Sequence, residues 1–157
     1  MTVRRESDAL VVIGWREWVG LPDLGLASLK AKIDTGARTS ALCAHAVEHI
    51  GDMRVRFKVY PHQRDTTTAV VAEADLVDER HVRSSSGATE LRMVVRTPLV
   101  LGAHRFDAEF TLTDRALLGF RVLLGREALR RRFIVDPGSS YRCGGRRTRF
   151  ALRRPPA

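Results

Sequence analysis

A chain of 157 residues with 44% hydrophobic content is sized for one domain with a real core and is too short for two ordinary ones. Its two cysteines, Cys43 and Cys143, cannot build a disulfide framework and are not spaced as a close metal-ligand pair, so a cytoplasmic protein without metal or cofactor is expected. The excess of 27 Lys and Arg over 18 Asp and Glu gives a net charge of +9, which attracts polyanions, either acidic peptide or, nonspecifically, nucleic acid.

Only 6% of residues are aromatic, and Val, Leu, Ala and Thr recur in short runs, which favours small strands over a helical bundle. Ala9 to Ile13 and Trp15 to Val19 read as two strands, with a turn at Leu21-Pro22-Asp23-Leu24-Gly25. The first apolar run is too short for a secretory core, and no run is long enough to span a membrane. From Leu29 to Ile33 the apolar positions alternate with Lys30 and Lys32, so one face is buried and the other wet. Met53 to Tyr60 repeats the pattern with Met53, Val55, Phe57 and Val59 on one face and Arg54, Arg56 and Lys58 on the other. Thr67 to Val77, Glu90 to Thr97 and Arg105 to Thr113 are further strands. Arg80 to Gly87, with two arginines, three serines and a glycine, reads as an exposed loop or hairpin tip.

Val122-Leu123-Leu124-Gly125-Arg126 is an apolar run that ends in glycine, and Arg126 to Phe133 carries the best helical signal, Leu129 and Phe133 being four apart. Phe133 to Val135 then reads as a closing strand ended by Asp136-Pro137-Gly138. The reading is a mostly β domain over residues 1–137, followed by a basic, partly disordered tail over 138–157 that holds Arg142, Arg146, Arg147, Arg149, Arg153 and Arg154.

The strand ending at Ile33 delivers one carboxylate, Asp34, into the turn Thr35-Gly36-Ala37. Hydrolysing an amide with carboxylates takes two that share a proton, one acting as base toward water and the other as acid toward the carbonyl oxygen. The chain has a single Asp-Thr-Gly, so a twofold dimer that sets Asp34 beside its symmetry mate would be needed to supply the pair. Thr35 could then bond across the axis, and Gly36 would let backbone donors approach the carboxylate.

These residues carry a resemblance. Asp34-Thr35-Gly36-Ala37, then Leu123-Leu124-Gly125-Arg126 and a short helix, resembles the retropepsin class of homodimeric aspartic peptidases. More closely, the chain is similar to a bacterial and archaeal group labelled "ATP-dependent zinc protease", encoded beside an ATP-grasp ligase that adds glutamates to a ribosomal protein. The matching segments are Gly14 to Trp18 with Leu21-Pro22, Ala31 to Leu42, Arg80 to Gly87 with Glu90 and Arg92, Leu112 to Arg115, and Leu123 to Arg126. The resemblance implies a retropepsin-like closed β-barrel or sandwich with one short C-terminal helix, Asp34 as the catalytic residue, and Thr35, Gly36, Ala37 and Gly125 in support. It implies trimming of α-linked polyglutamate, for which Arg38, Arg80, Arg83, Arg92 and Arg126 are the expected substrate contacts. Arg80 to Gly87 and Pro61 to Thr68 compete as the flap. The chain departs from the group at Cys43, where a histidine is usual, and places His45 two positions on.

The sequence carries neither a Gly-rich loop ending in Lys-Ser or Lys-Thr nor a His-Glu-x-x-His, so neither ATP nor zinc is expected. His45 and His49, four apart, could share a helical face but have no third ligand nearby, and Cys43 reads as a small buried hydrophobe. Trp15 and Trp18 read as packing residues. Two other functions fit less of the pattern: a peptidase of broader specificity, and a non-catalytic basic β module that binds RNA or ribosomes, for which Tyr60 is nearly the only aromatic on the basic strand.

Overall fold

Alternation along the chain decides where the strands lie and which face each buries. A computed structural model describes residues 9–62, 67–83, 86–115 and 117–144. Its strands are β1 (Val11–Leu21), β2 (Leu26–Ile33), β3 (Ser40–Cys43), β4 (His45–His49), β5 (Arg54–Val59), β6 (Val70–Arg83), β7 (Thr89–Leu101), β8 (His104–Thr113), β9 (Val122–Leu124) and β10 (Phe133–Ser140). One short α-helix, α1 (Arg126–Leu129), and a 3₁₀ turn at Pro22–Leu24 complete the described residues. The described residues are mostly β, with one short helix after β9, as the sequence implies.

The strands form one sheet in the order β10-β1-β2-β9-β3-β8-β7-β6-β5-β4. It curls on itself until Gly20 of β1 meets Val100 of β7, a single residue pair that makes a partial ring. Inside lie Ile13, Leu29, Leu42, Phe57, Phe110 and Leu124, all excluded from water or nearly so. Full burial of each such side chain is worth about 1.5–3 kcal/mol, so this interior is the main source of stability. Among the described residues, no helix is long and apolar enough to cross a membrane.

Five expectations change. Val11 to Ile13 and Trp15 to Val19 belong to one strand, β1, with a bulge between Gly14 and Arg16 where it pairs with β10, and Ala9 and Leu10 precede it. Gly14 is required there, because a Cβ would collide with the backbone of Ser139. The strand expected to stop at Val77 runs on to Arg83, so Arg80 to Arg83 are strand, not loop. A bulge at Val77 shifts the register: Leu76 faces Val95 in the core, whereas Asp78 faces Val94 and Arg80 faces Arg92 on the opposite side. The extra residue thus turns Asp78, Arg80 and Val82 away from the core.

The helix is shorter than expected and the last strand longer. Arg130 is extended (φ −58°, ψ 139°) and Arg131 is left-handed (φ 66°), which stops α1 at Leu129 and frees Phe133 to pair with Val11. β10 passes through Pro137 to Ser140 because it is the edge of the sheet, where a missing N–H costs no ladder bond. Finally, His45 and His49 lie on a strand, β4, so no helical face joins them. Gln63 to Thr66, Ser84, Ser85 and the arginines Arg146 to Arg154 lie outside the described residues.

One buried carboxyl group ties β1 to the segment after β10. Glu17 is excluded from water, and its carboxylate accepts N–H bonds from Gly14 (2.7 Å), Arg142 (3.0 Å) and Cys143 (3.0 Å). Beside it Arg16 lies between the rings of Trp15 and Tyr141, 4.7 and 4.9 Å from their centroids, and Trp18 stacks on Tyr141. The tryptophans are packing residues in this arrangement, and the segment after β10 is fastened to β1.

Candidate active site

Asp34 follows β2 directly, and the loop 34–39 returns the chain to β3. β9 lies between these two strands, parallel to β2 with Ile33 opposite Leu124, and antiparallel to β3 with Ala41 opposite Leu123. The loop is therefore anchored on both legs by the same apolar strand. Asp34 N–H donates to the Leu124 carbonyl at 2.9 Å, and Gly36 N–H donates to Asp34 Oδ1, also at 2.9 Å.

The residues after β9 brace the loop from below. Arg126 N–H donates to the Ala37 carbonyl (2.8 Å), Glu127 N–H to the Arg38 carbonyl (3.0 Å), and Gly125 N–H to Ser40 Oγ (3.1 Å). A Cβ on Gly125 would sit 2.5 Å from the Thr39 carbonyl oxygen and 2.9 Å from that of Ala37, so only glycine permits this approach. Gly36 and Ala37 thus donate to Asp34 itself, while Gly125 braces the far leg of the same loop at Ala37, Thr39 and Ser40. Arg126 is also drawn in: its Nη1 donates to the Thr35 carbonyl at 3.1 Å, which places it under the loop and not free in a cleft.

The loop faces outward. Asp34 is half-buried while Thr35 and Gly36 are exposed, and one copy of the chain presents one such carboxylate. Beside the loop lies a cleft of about 670 Å³ whose walls include Arg38, Thr39, Ser40, Arg80, Arg96 and Glu109. Arg38 approaches Glu127 at 3.7 Å and is largely exposed. Arg80 donates to Asp78 (2.7 Å) and to Glu109 (3.3 Å), and Arg96 donates to the other oxygen of Glu109 (2.8 Å). Hydrogen bonding from Arg96, with a second bond from Arg80, holds the Glu109 carboxyl below its ordinary range against the opposing effect of burial. The bond to Asp78 raises Arg80 further, and the same bond lowers Asp78.

The other expected arginines lie elsewhere. Arg92 pairs with Glu90 at 3.2 Å, with Arg115 3.7 Å from the same carboxylate. Arg83 is exposed at the end of β6 and does not line the cleft. The structure therefore brings Arg38 and Arg80 into one cleft and leaves Arg83 and Arg92 out of it. Arg96 and Glu109 were not expected there. Their signal is the cross-strand pairing of β7 with β8, in which they are direct partners, and a single sequence does not display pairing.

Cys43 is buried, with His45 Nε2 3.8 Å from its Sγ, and burial pushes its thiol up, which suits a packing residue and not a nucleophile. His45 also packs edge-on against Tyr60, and His49 lies 3.6 Å from Glu79. Among the described residues, no three His, Cys, Asp or Glu side chains are grouped so as to hold a metal ion. They do not fit the zinc in the label of the resembling group.

The model of the retropepsin-like aspartic endopeptidase RimB family matches residues 12–144, which include the Asp34 loop, β9 and Gly125. The chain belongs to the RimB-like family. A protein of Parasynechococcus marenigrum named probable alpha-L-glutamate ligase is 42% identical over 139 residues, covering 85% of this chain and 29% of its own length. One of the same name from Shewanella halifaxensis is 38% identical over 143 residues, covering 88% of this chain and 31% of its own. The RimB-like chain therefore spans less than a third of the curated relatives it matches. A crystal structure of a Legionella pneumophila protein of unknown function is also similar, with a TM-score of 0.71 and 27% identity over 86% of this chain and 99% of that one.

Proposed function

We propose that this RimB-like chain is a homodimeric aspartic endopeptidase of the cytoplasm, whose two Asp34 carboxylates meet across a twofold axis. They would activate water to hydrolyse peptide bonds in acidic tails, above all α-linked polyglutamate. The observation that carries the proposal is the Asp34 loop itself: a single half-buried carboxylate oriented by the Gly36 N–H, on a loop braced by β9 and Gly125 whose tip at Thr35 and Gly36 is exposed on one copy of the chain.

In the dimer one Asp34 is ionised and takes a proton from water as the oxygen attacks the peptide carbonyl. The other gives its proton to the carbonyl oxygen, forming a neutral gem-diol. The proton taken from water then passes to the amide nitrogen as the C–N bond breaks, while a gem-diol hydroxyl returns its proton to the other Asp34, which restores the dyad. Sharing a proton requires carboxylate oxygens in hydrogen-bond contact, about 2.5–3.0 Å apart.

The net charge of +9 supports an acidic substrate. So do the relatives, in which a segment like this chain forms part of a longer protein named probable alpha-L-glutamate ligase. A unit that cuts glutamate chains is chemically matched to one that builds them. The reading with broader specificity rests on the cleft, where Asp107, Glu109 and Glu127 stand against Arg38, Arg80 and Arg96. The RNA-binding reading is weakened because Arg54 and Arg56 of β5 are engaged by Asp75, Glu73 and Glu48.

The test compares hydrolysis of oligoglutamate with glutamine and alanine peptides at low and high salt. Preference for glutamate that fades with salt is expected. Cleavage indifferent to glutamate content would leave only the broader specificity, and hydrolysis by Asp34→Asn at the wild-type rate would remove the mechanism.

A further inference from the structure

Selecting an acidic chain needs more than net positive charge, because the cleft beside the Asp34 loop carries three arginines and three carboxylates. The field inside it is nearly balanced, so recognition has to come from the geometry of particular guanidinium groups. Two are set side by side. Arg96 of β7 and Glu109 of β8 are direct cross-strand partners, and the Val77 bulge turns Arg80 of β6 onto the same face. Each oxygen of Glu109 accepts from one arginine, at 3.3 Å from Arg80 and 2.8 Å from Arg96, and Asp78 fixes the Nε of Arg80 at 2.7 Å.

The donor count leaves room for a ligand. A guanidinium has five N–H donors in a fixed fork. The bonds to Glu109 and Asp78 use Nε and Nη2 of Arg80 and Nη2 of Arg96, which leaves Nη1 of Arg80 and both Nε and Nη1 of Arg96 outside them. Without an anion between them, two guanidinium groups this close would repel and scatter among rotamers. Glu109 removes that repulsion and orders both. With one oxygen on each arginine, Glu109 holds the two guanidinium groups to a common anchor, and the donors it does not use belong to that ordered pair.

We propose that Arg80 and Arg96, aligned by Glu109 as a positioning residue, form a subsite for a side-chain carboxylate of the acidic substrate. The subsite lies in the cleft beside the Asp34 loop and takes a glutamate other than the pair flanking the scissile bond. Asp34 itself does not line this cleft. The inference rests on the acidic-peptidase reading and adds to it the residues that discriminate glutamate from glutamine at one position along the chain.

The experiment measures kcat and KM for a glutamate peptide and its glutamine analogue with wild type, Arg96→Gln, Arg96→Lys, Glu109→Gln and the control Lys58→Gln. Lys58 is exposed on β5, opposite Val71 and His45 and outside the cleft lining, so its loss lowers the net charge equally without removing a group of the subsite. Losing one charge-assisted bond lowers the glutamate-over-glutamine ratio of kcat/KM about tenfold in Arg96→Gln, mainly through KM, with partial recovery in Arg96→Lys. Lys58→Gln leaves the ratio at the wild-type value.

Glu109→Gln separates positioning from bulk charge. It makes the cleft more positive, so simple attraction would strengthen binding of the glutamate peptide, whereas a positioning role weakens it. A lower KM for glutamate in Glu109→Gln, or equal losses in Arg96→Gln and Lys58→Gln, would overturn the subsite. A wild-type enzyme that cleaves both peptides alike would instead overturn the acidic-peptidase reading on which it rests.

Discussion

Glu17 is the buried charge whose removal should be felt furthest from its own position. In Glu17→Gln the side-chain shape is kept, but one carboxylate oxygen becomes an NH₂ group. If the amide oxygen stays where Oε2 accepts from Gly14 and Arg142, the NH₂ faces the Cys143 N–H, donor against donor. One bond is lost and two lose their charge assistance, which together amount to about 2 kcal/mol. For a chain of this size that lowers Tm by roughly 4–8 °C. Glu17→Ala leaves all three donors without a partner and costs about 3 kcal/mol or more. A second readout isolates the fastening of the C-terminal segment. Burial, and after it the Glu17 carboxylate, push the Cys143 thiol up, so Glu17→Gln lowers it and frees the segment. Thiol labelling of Cys143 in a Cys43→Ala background should then accelerate at neutral pH. A Glu17→Gln protein with unchanged Tm and unchanged labelling would refute the anchoring role.

Other outcomes rest on the same kinds of contact. Gly125→Ala drives a methyl against the backbone of Thr39 and Ala37, a strain of about 1–3 kcal/mol read by denaturant unfolding, with a steeper loss of peptidase activity because the same loop carries Asp34. The arginine pair on Glu109 makes stability depend on acid. Since the folded carboxyl titrates below its ordinary 4.5, the stabilisation is present above that value and is lost as pH falls through the lower folded one. The Tm difference between wild type and Glu109→Gln should therefore shrink as pH drops below about 4, and a difference constant with pH would contradict it.

The sequence made legible whatever obeys a single period and hid whatever breaks one. Met53 to Tyr60 and Arg105 to Thr113 became β5 and β8 within a residue or two because each buries one face and wets the other. The Asp34 turn was legible as Asp, Thr and Gly after an alternating strand, whereas the role of Gly125 came from the resemblance, because an apolar run ending in glycine does not by itself show which loop it meets. β1 looked like two strands because Gly14 carries no side chain and the strand bulges there to admit the Ser139 backbone. β6 seemed to end at Val77 because the bulge reverses parity, and past it polar residues such as Asp78 and Arg80 occupy what had been the apolar phase. The helix was over-extended because Leu129 and Phe133 have helical spacing, yet Phe133 packs from a strand paired with β1. Arg96 and Glu109 meet only through cross-strand register, and Glu17 meets Arg142 and Cys143 only in the fold.

The pairing of two Asp34 carboxylates is tested most directly by mixing subunits. Wild type and Asp34→Asn chains, co-expressed in equal amounts and purified together, assort at random into dimers. If the dyad needs both carboxylates, activity per total protein falls to roughly a quarter of wild type, because only dimers of two wild-type chains can share the proton. Activity of about half, in simple proportion to the wild-type chains, would mean that one Asp34 suffices and would contradict the account.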